Sequence, residues 1–163
     1  MEQVIPRPPV RDFVIADFEE VEDLDWIEPV HGEYALTGRH PVSGQYSLAF
    51  NYEIAKYPGM EFWHIPRRWD YFDSLRFMVI NPTEQNIKLV FRLDDQNSTW
   101  KPETYYFEEQ QLSPGINRII IPLSKIQEKI DTTNLKRMIL SLKQPQIAGK
   151  IYIDDIVLTV DDG

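Results

Sequence analysis

Apolar residues along this chain recur with a period of two, in short runs broken by Gly, Pro, Asn and Asp. Side chains alternate faces along a strand, so this pattern predicts half-buried β-strands. The first run covers residues 13–18. In 46–52, Tyr46, Leu48, Phe50 and Tyr52 alternate with smaller or more polar neighbours. A continuous apolar run at 75–80 is closed by Asn81-Pro82. In 87–93, Leu89, Phe91 and Leu93 share one face, and Lys88, Val90 and Arg92 take the other. Residues 104–107 are short and aromatic. A Ser113-Pro114-Gly115 turn releases a strand over 117–121, and the runs 138–142 and 151–158 complete the series. One short helix is expected: Ser124 in capping position, Gln127 as the return partner of a capping box, Ile126 and Ile130 on one face. About eight antiparallel strands with one short helix predict an all-β fold, an antiparallel β-sandwich of jelly-roll type, with a closed barrel as the alternative.

Length and composition narrow this picture. The 163 residues suit one domain, which we place at 13–160. Pro6, Pro8 and Pro9 make residues 1–12 a stiff linker or N-terminal extension, and 161–163 a short tail. Residues 1–9 lack the apolar core of a signal peptide. The 17 basic and 26 acidic residues give a formal charge of -9. So acidic a surface repels phosphate backbones and anionic lipid, so neither nucleic acid nor a membrane face is an expected partner. No apolar run is long enough to span a bilayer, so this segment is not expected to insert. Cysteine is absent, which removes disulfides, thiolate metal sites and Cys nucleophiles.

Catalytic signatures are lacking. His31, His40 and His64 show no metal-ligand spacing, and there is no nucleophile elbow or glycine-rich phosphate loop. Asn97-Ser98-Thr99 matches a glycosylation sequon, a motif too short to carry weight alone.

A series of short motifs runs through the chain in a particular order. It begins with Asp17-Phe18-Glu19, Gly44-Gln45-Tyr46-Ser47-Leu48 and Tyr57-Pro58-Gly59. Trp69-Asp70-Tyr71-Phe72-Asp73-Ser74-Leu75, Asn81-Pro82 and Ser113-Pro114-Gly115-Ile116-Asn117 follow, and Ile151-Tyr152-Ile153-Asp154-Asp155-Ile156 closes it. This order resembles carbohydrate-binding modules of the galactose-binding-like β-jelly-roll superfamily, including the family-eleven type. It also resembles the soluble tails of some bacterial envelope proteins. The resemblance spans about residues 13–159 and is specific for fold more than for ligand.

The resemblance implies a non-catalytic module that tethers a larger protein to a polysaccharide, outside the cell or in the periplasm or envelope. Sugar binding needs aromatic faces for the C–H side of a pyranose and planar polar groups for its hydroxyls. Trp63 and His64, Trp100 and Tyr105, and Arg92 with Asp94 on the polar face of their strand are the candidate ligand-binding residues. Trp69 and Tyr71 are expected to anchor the fold, and Trp26 to pack an N-terminal loop over the sandwich. Arg67, Arg68 and Arg92 could create a local exception to the acidic surface.

The resemblance further implies a structural calcium shared by adjacent first and last strands. Asp17 and Glu19, two apart on an expected strand, would face one side with Asp154, and a carbonyl or hydroxyl near Ser43, Gly44 or Gln45 would add oxygen ligands. Asp155 would face the other way and hold a loop. Two alternatives remain: a protein-interaction module of an envelope complex, and a polysaccharide lyase or hydrolase. A lyase would use His64, Tyr105 and Arg92; a hydrolase would set Asp94 or Asp95 against Glu61.

Overall fold

The computed structural model describes residues 11–42 and 44–161. Residues 1–10 of the expected 1–12 extension, Ser43 and the last two tail residues lie outside them. Among the described residues, eleven strands form two antiparallel sheets: β1 Phe13–Ala16, β2 Ile27–Val30, β3 Gly32–Thr37, β4 Ser47–Tyr52, β5 Gly59–Phe62, β6 Ser74–Asn81, β7 Ile87–Asp95, β8 Tyr106–Leu112, β9 Gly115–Pro122, β10 Leu135–Leu142 and β11 Gly149–Thr159. One sheet runs β3-β4-β11-β6-β9, with β1 pairing β11; the other runs β2-β5-β10-β7-β8. The antiparallel β-sandwich is the expected class.

Period-two patterning builds the core between the sheets. From the five-stranded sheet come Leu89, Phe91 and Leu93 of β7 and Met138, Leu140 and Leu142 of β10. From the six-stranded sheet come Leu75, Phe77 and Val79 of β6 and Ile151, Ile153, Ile156 and Leu158 of β11. Trp69 is fully buried, as its place in the motif predicts. On the outer face of the six-stranded sheet Val42 packs on Ala49, Ile80 and Tyr152, and the His40 ring lies 4.7 Å from that of Tyr152.

Several local expectations are corrected. The three unread strands are β2, β3 and β5: β2 and β5 are four residues each and contain Pro29 and Gly59, and β3 alternates but buries no side chain fully. The helix α1, Leu123–Gln127, starts after Pro122, and no side chain caps it. Its first amide is satisfied instead by the Asp73 carbonyl at 2.9 Å, which leaves Ser124 inside the helix and no capping box. Ile126 and Ile130 are both buried, as their spacing predicts. Trp26 does not cover the sandwich: it is 55% exposed at φ 64°, and its carbonyl accepts the Trp63 amide at 3.0 Å.

Candidate functional site: a cleft on the five-stranded sheet

The outer face of the five-stranded sheet is fixed by register. Val30, Gly59, Ser141 and Val90 form one row across β2, β5, β10 and β7. Glu61, Ile139, Arg92 and Phe107 form the next row, and Arg137 faces Asp94 in a third. Residues of this face, with Tyr57, Pro102 and Tyr105 from flanking loops, line a cleft of about 430 Å³.

A chain of ionic hydrogen bonds crosses this face. Arg92 donates through Nε to Asp94 Oδ1 at 2.8 Å and through Nη2 to Oδ2 at 3.1 Å. Arg137 Nε donates to the same Oδ2 at 2.8 Å, and Arg137 Nη1 to Glu61 Oε1 at 2.9 Å. Asp94 is 3% exposed, so its charge is held by the two guanidinium groups and not by water. Both guanidinium groups lie near aromatic rings, Arg92 over Tyr105 at 3.6 Å and Arg137 near Trp63 at 5.2 Å from the ring centroid. Two positive and two negative groups leave the chain neutral within a protein of charge -9.

The sequence candidates divide around this cleft. Arg92 and Tyr105 line it, while Asp94 and Trp63 join it through the arginines, Asp94 bonded to Arg92 and Arg137 and Trp63 beside Arg137. Trp100 is 81% exposed on the neighbouring loop, with Lys101 Nζ 5.9 Å from its ring, and does not line the cleft. His64 follows the strand alternation to the other side and lines a separate cavity of about 280 Å³ with Ile15, Ile27, Phe62 and Asp23. Asp95 turns away from the cleft to hold a turn, accepting amides from Asn97 at 2.8 Å and Asp131 at 2.9 Å. Arg68 forks onto Asp70 at 3.1 and 2.8 Å, which ties it into the fold. Arg137 was missed. Its signal was the outward phase of Arg137, Ile139 and Ser141 against Met138, Leu140 and Leu142, legible once β10 is extended back to Leu135.

The calcium candidates are distributed differently from expectation. Strand β1 does pair the last strand, Phe13 with Leu158. It ends at Ala16, however, and Phe18 adopts φ 61°, so Asp17 and Glu19 do not share a strand face. Asp17 accepts the Glu19 amide at 3.2 Å and lies beside the Asp23 carboxyl. Glu19 instead accepts the amides of Gln45 at 2.8 Å and Tyr46 at 3.0 Å. Asp154 accepts those of Val42 and Asp155, both at 2.9 Å. Glu19 and Asp154 thus grip one loop from two sides. Gly44, at φ 64° in that loop, could carry no Cβ without coming within 2.5 Å of the Glu19 carboxylate. Among the described residues, no three acidic or imidazole side chains are grouped as a metal centre.

Burial pushes the Asp23 carboxyl up to about 6, and the adjoining Asp17 pushes it the same way. A raised carboxyl favours the protonated folded state. Its contribution is fully present below the unfolded value near 3.8 and is lost as pH rises through about 6. Urea melts from pH 4 to pH 7 should therefore show stability falling with pH, by an increment that Asp23→Asn removes. An unchanged profile in that variant would mean the pair has no such role.

No protein-family model and no curated protein matches the sequence. Solved structures do. One is a family 11 carbohydrate-binding module from Clostridium thermocellum, in complex with a beta-1,3-1,4-mixed-linked tetrasaccharide. It shares 14% identity over 93% of this chain and 97% of that one, at a TM-score of 0.69. Another is the C-terminal family 22 carbohydrate-binding module of Clostridium thermocellum Xyn10B, at 14% identity, 92% and 94% coverage and a TM-score of 0.60. A third is an exo-beta-agarase, at 13% identity and a TM-score of 0.71, where the match takes 91% of this chain but 25% of that one. At such identities the likeness is one of architecture: the chain carries the β-sandwich fold of family 11 and family 22 carbohydrate-binding modules.

Proposed function

We propose that the cleft binds a neutral polysaccharide without cleaving it. The observation that carries this reading is the Glu61–Arg137–Asp94–Arg92 chain, set between Trp63 and Tyr105. Fixed guanidinium and carboxylate groups offer paired donors and acceptors for sugar hydroxyls, and Tyr57, Tyr105 and Phe107 offer apolar faces for ring C–H groups. Cancelled charge in the cleft and the overall -9 disfavour an anionic chain. Catalysis is disfavoured because both Asp94 oxygens and one Glu61 oxygen are committed to arginines, so this pair is not poised as acid and base. The structural likeness to carbohydrate-binding modules supports the reading, and the match to a quarter of an agarase supports a role as one unit of a larger protein, which we place outside the cell or in the envelope. Affinity electrophoresis against neutral glucans, beginning with mixed-linked beta-1,3-1,4-glucan, should show retardation that Tyr105→Ala reduces about tenfold, as expected for roughly 1–1.5 kcal/mol of lost aromatic contact. No retardation on any neutral polysaccharide would turn the reading toward a protein-docking module.

The reading includes calcium held by Glu19 and Asp154, the carboxylates that accept the amides of Gln45, Tyr46 and Val42. They would bring hard oxygen donors of the kind calcium prefers; Asp17, beside Asp23, is left out of the set. Chelation with EDTA should then lower the melting temperature by about 5–10 °C, the loss of about 2.7 kcal/mol carried by a site at one hundred times its Kd. An unchanged melting curve would leave these carboxylates with their amide hydrogen bonds alone.

A further inference from the structure

The cleft has a second half that the ionic chain does not reach. In the row Val30, Gly59, Ser141, Val90 the floor dips at Gly59. A Cβ there would come within 2.4 Å of the Leu140 carbonyl and 2.5 Å of the Ser141 Cβ, so this strand contact accepts no side chain. The depression is bounded by Val30, Val90, Ile139 and Tyr57. At its base lies Ser141, 8% exposed, whose hydroxyl makes no hydrogen bond among the described residues.

A polysaccharide seated over this spot would strip water from that hydroxyl. The ligand must then return an acceptor, or the unpaired group opposes binding. A bare sugar hydroxyl could pair with Ser141 but would leave Val30, Val90 and Ile139 facing polar or empty space. An N-acetyl group would bring an additional amide N–H, whose acceptor in this cleft is Glu61 in the next row and not the aliphatic wall around Ser141. An O-acetyl ester carries a carbonyl oxygen for Ser141 Oγ–H, a methyl group for the aliphatic wall, and no donor left to satisfy. We infer that the cleft recognises an O-acetylated polysaccharide, with the ester carbonyl on Ser141 and its methyl between Val90 and Ile139. This inference rests on the polysaccharide reading above and specifies its ligand class.

The test uses acetylated glucomannan and acetylated xylan, each beside its alkali-deacetylated form, with unsubstituted mixed-linked beta-1,3-1,4-glucan as reference. Titration calorimetry on the full chain should show the acetylated form of at least one polymer bound about fifteenfold more tightly, since a buried methyl and one hydrogen bond each contribute about fourfold. Ser141→Ala should lose about fourfold more on the acetylated form than on the deacetylated one. Equal or weaker binding of acetylated chains overturns the inference while leaving the polysaccharide reading intact. So does an equal loss on both forms in the variant, or binding of the unsubstituted glucan alone. Binding of none of the five polymers overturns both.

Discussion

Asp94→Ala should abolish polysaccharide binding and lower stability by about 3 kcal/mol, a drop of roughly 6–12 °C in melting temperature for a domain of this size. The carboxylate is 3% exposed and is the shared acceptor of Arg92 and Arg137. Removing it leaves two guanidinium groups side by side in a partly desolvated setting. Truncating one member of a buried charge group costs more than the intact group contributes, because the remaining charges lose their partner. Asp94→Asn separates the two consequences. It keeps the volume and one acceptor but removes the charge, so it should recover part of the stability and little of the binding. Calorimetric melting together with affinity electrophoresis measures both. If Asp94→Ala melted within 1 °C of the wild type, the ionic chain would not be organising the cleft.

The second large effect lies directly beneath the cleft. Phe91 is fully buried on β7, between Val90 and Arg92, which face outward. Its ring lies 6.4 Å from Phe77 of the opposing sheet and 6.0 Å from Tyr106 of β8. Phe91→Ala should cost about 3–5 kcal/mol, since two sheets joined by many other contacts cannot close the void. Chemical denaturation would show this as a lower midpoint with an unchanged slope. A loss under 1 kcal/mol would mean that the sheets collapse around the missing ring. Phe91→Leu, which keeps most of the volume, should recover much of the stability.

These two neighbours on β7 show what the sequence makes legible. Alternation placed Leu89, Phe91 and Leu93 inward and Arg92 with Asp94 outward, because a half-buried strand repeats every two residues. The same rule pointed to the sandwich class, whereas the adjacency of first and last strands followed from the family resemblance and not from the pattern. Where the rule loses its grip, the reading fell short. Gly59–Phe62 is four residues long and begins with a glycine chosen for a close strand contact, so no alternation could announce it. The Phe18 turn at φ 61° parts Asp17 from Glu19, and a positive φ at Phe cannot be foreseen from residue type. Glu61 and Arg137 lie far apart in sequence and meet only through the pairing of β5 and β10, so their ion pair belongs to topology. Trp100 shows the reverse: it is exposed among polar neighbours, as stacking on a ligand requires, but pairing geometry sets it outside the cleft lining.

The place of β11 governs when this fold can form during synthesis. The last strand made is the middle one of its sheet, with β4 and β1 along one side and β6 along the other. Until residues 149–159 leave the ribosome, β3–β4 and β6–β9 are two separate pieces with apolar faces and open edges. The nascent chain must therefore hold most of its sequence in a half-assembled, association-prone state, and its completion is a single late event triggered by the final strand. A chain stalled before Gly149 should be captured by ribosome-associated chaperones, whereas one extended a few tens of residues beyond Thr159 should resist proteolysis while still tethered.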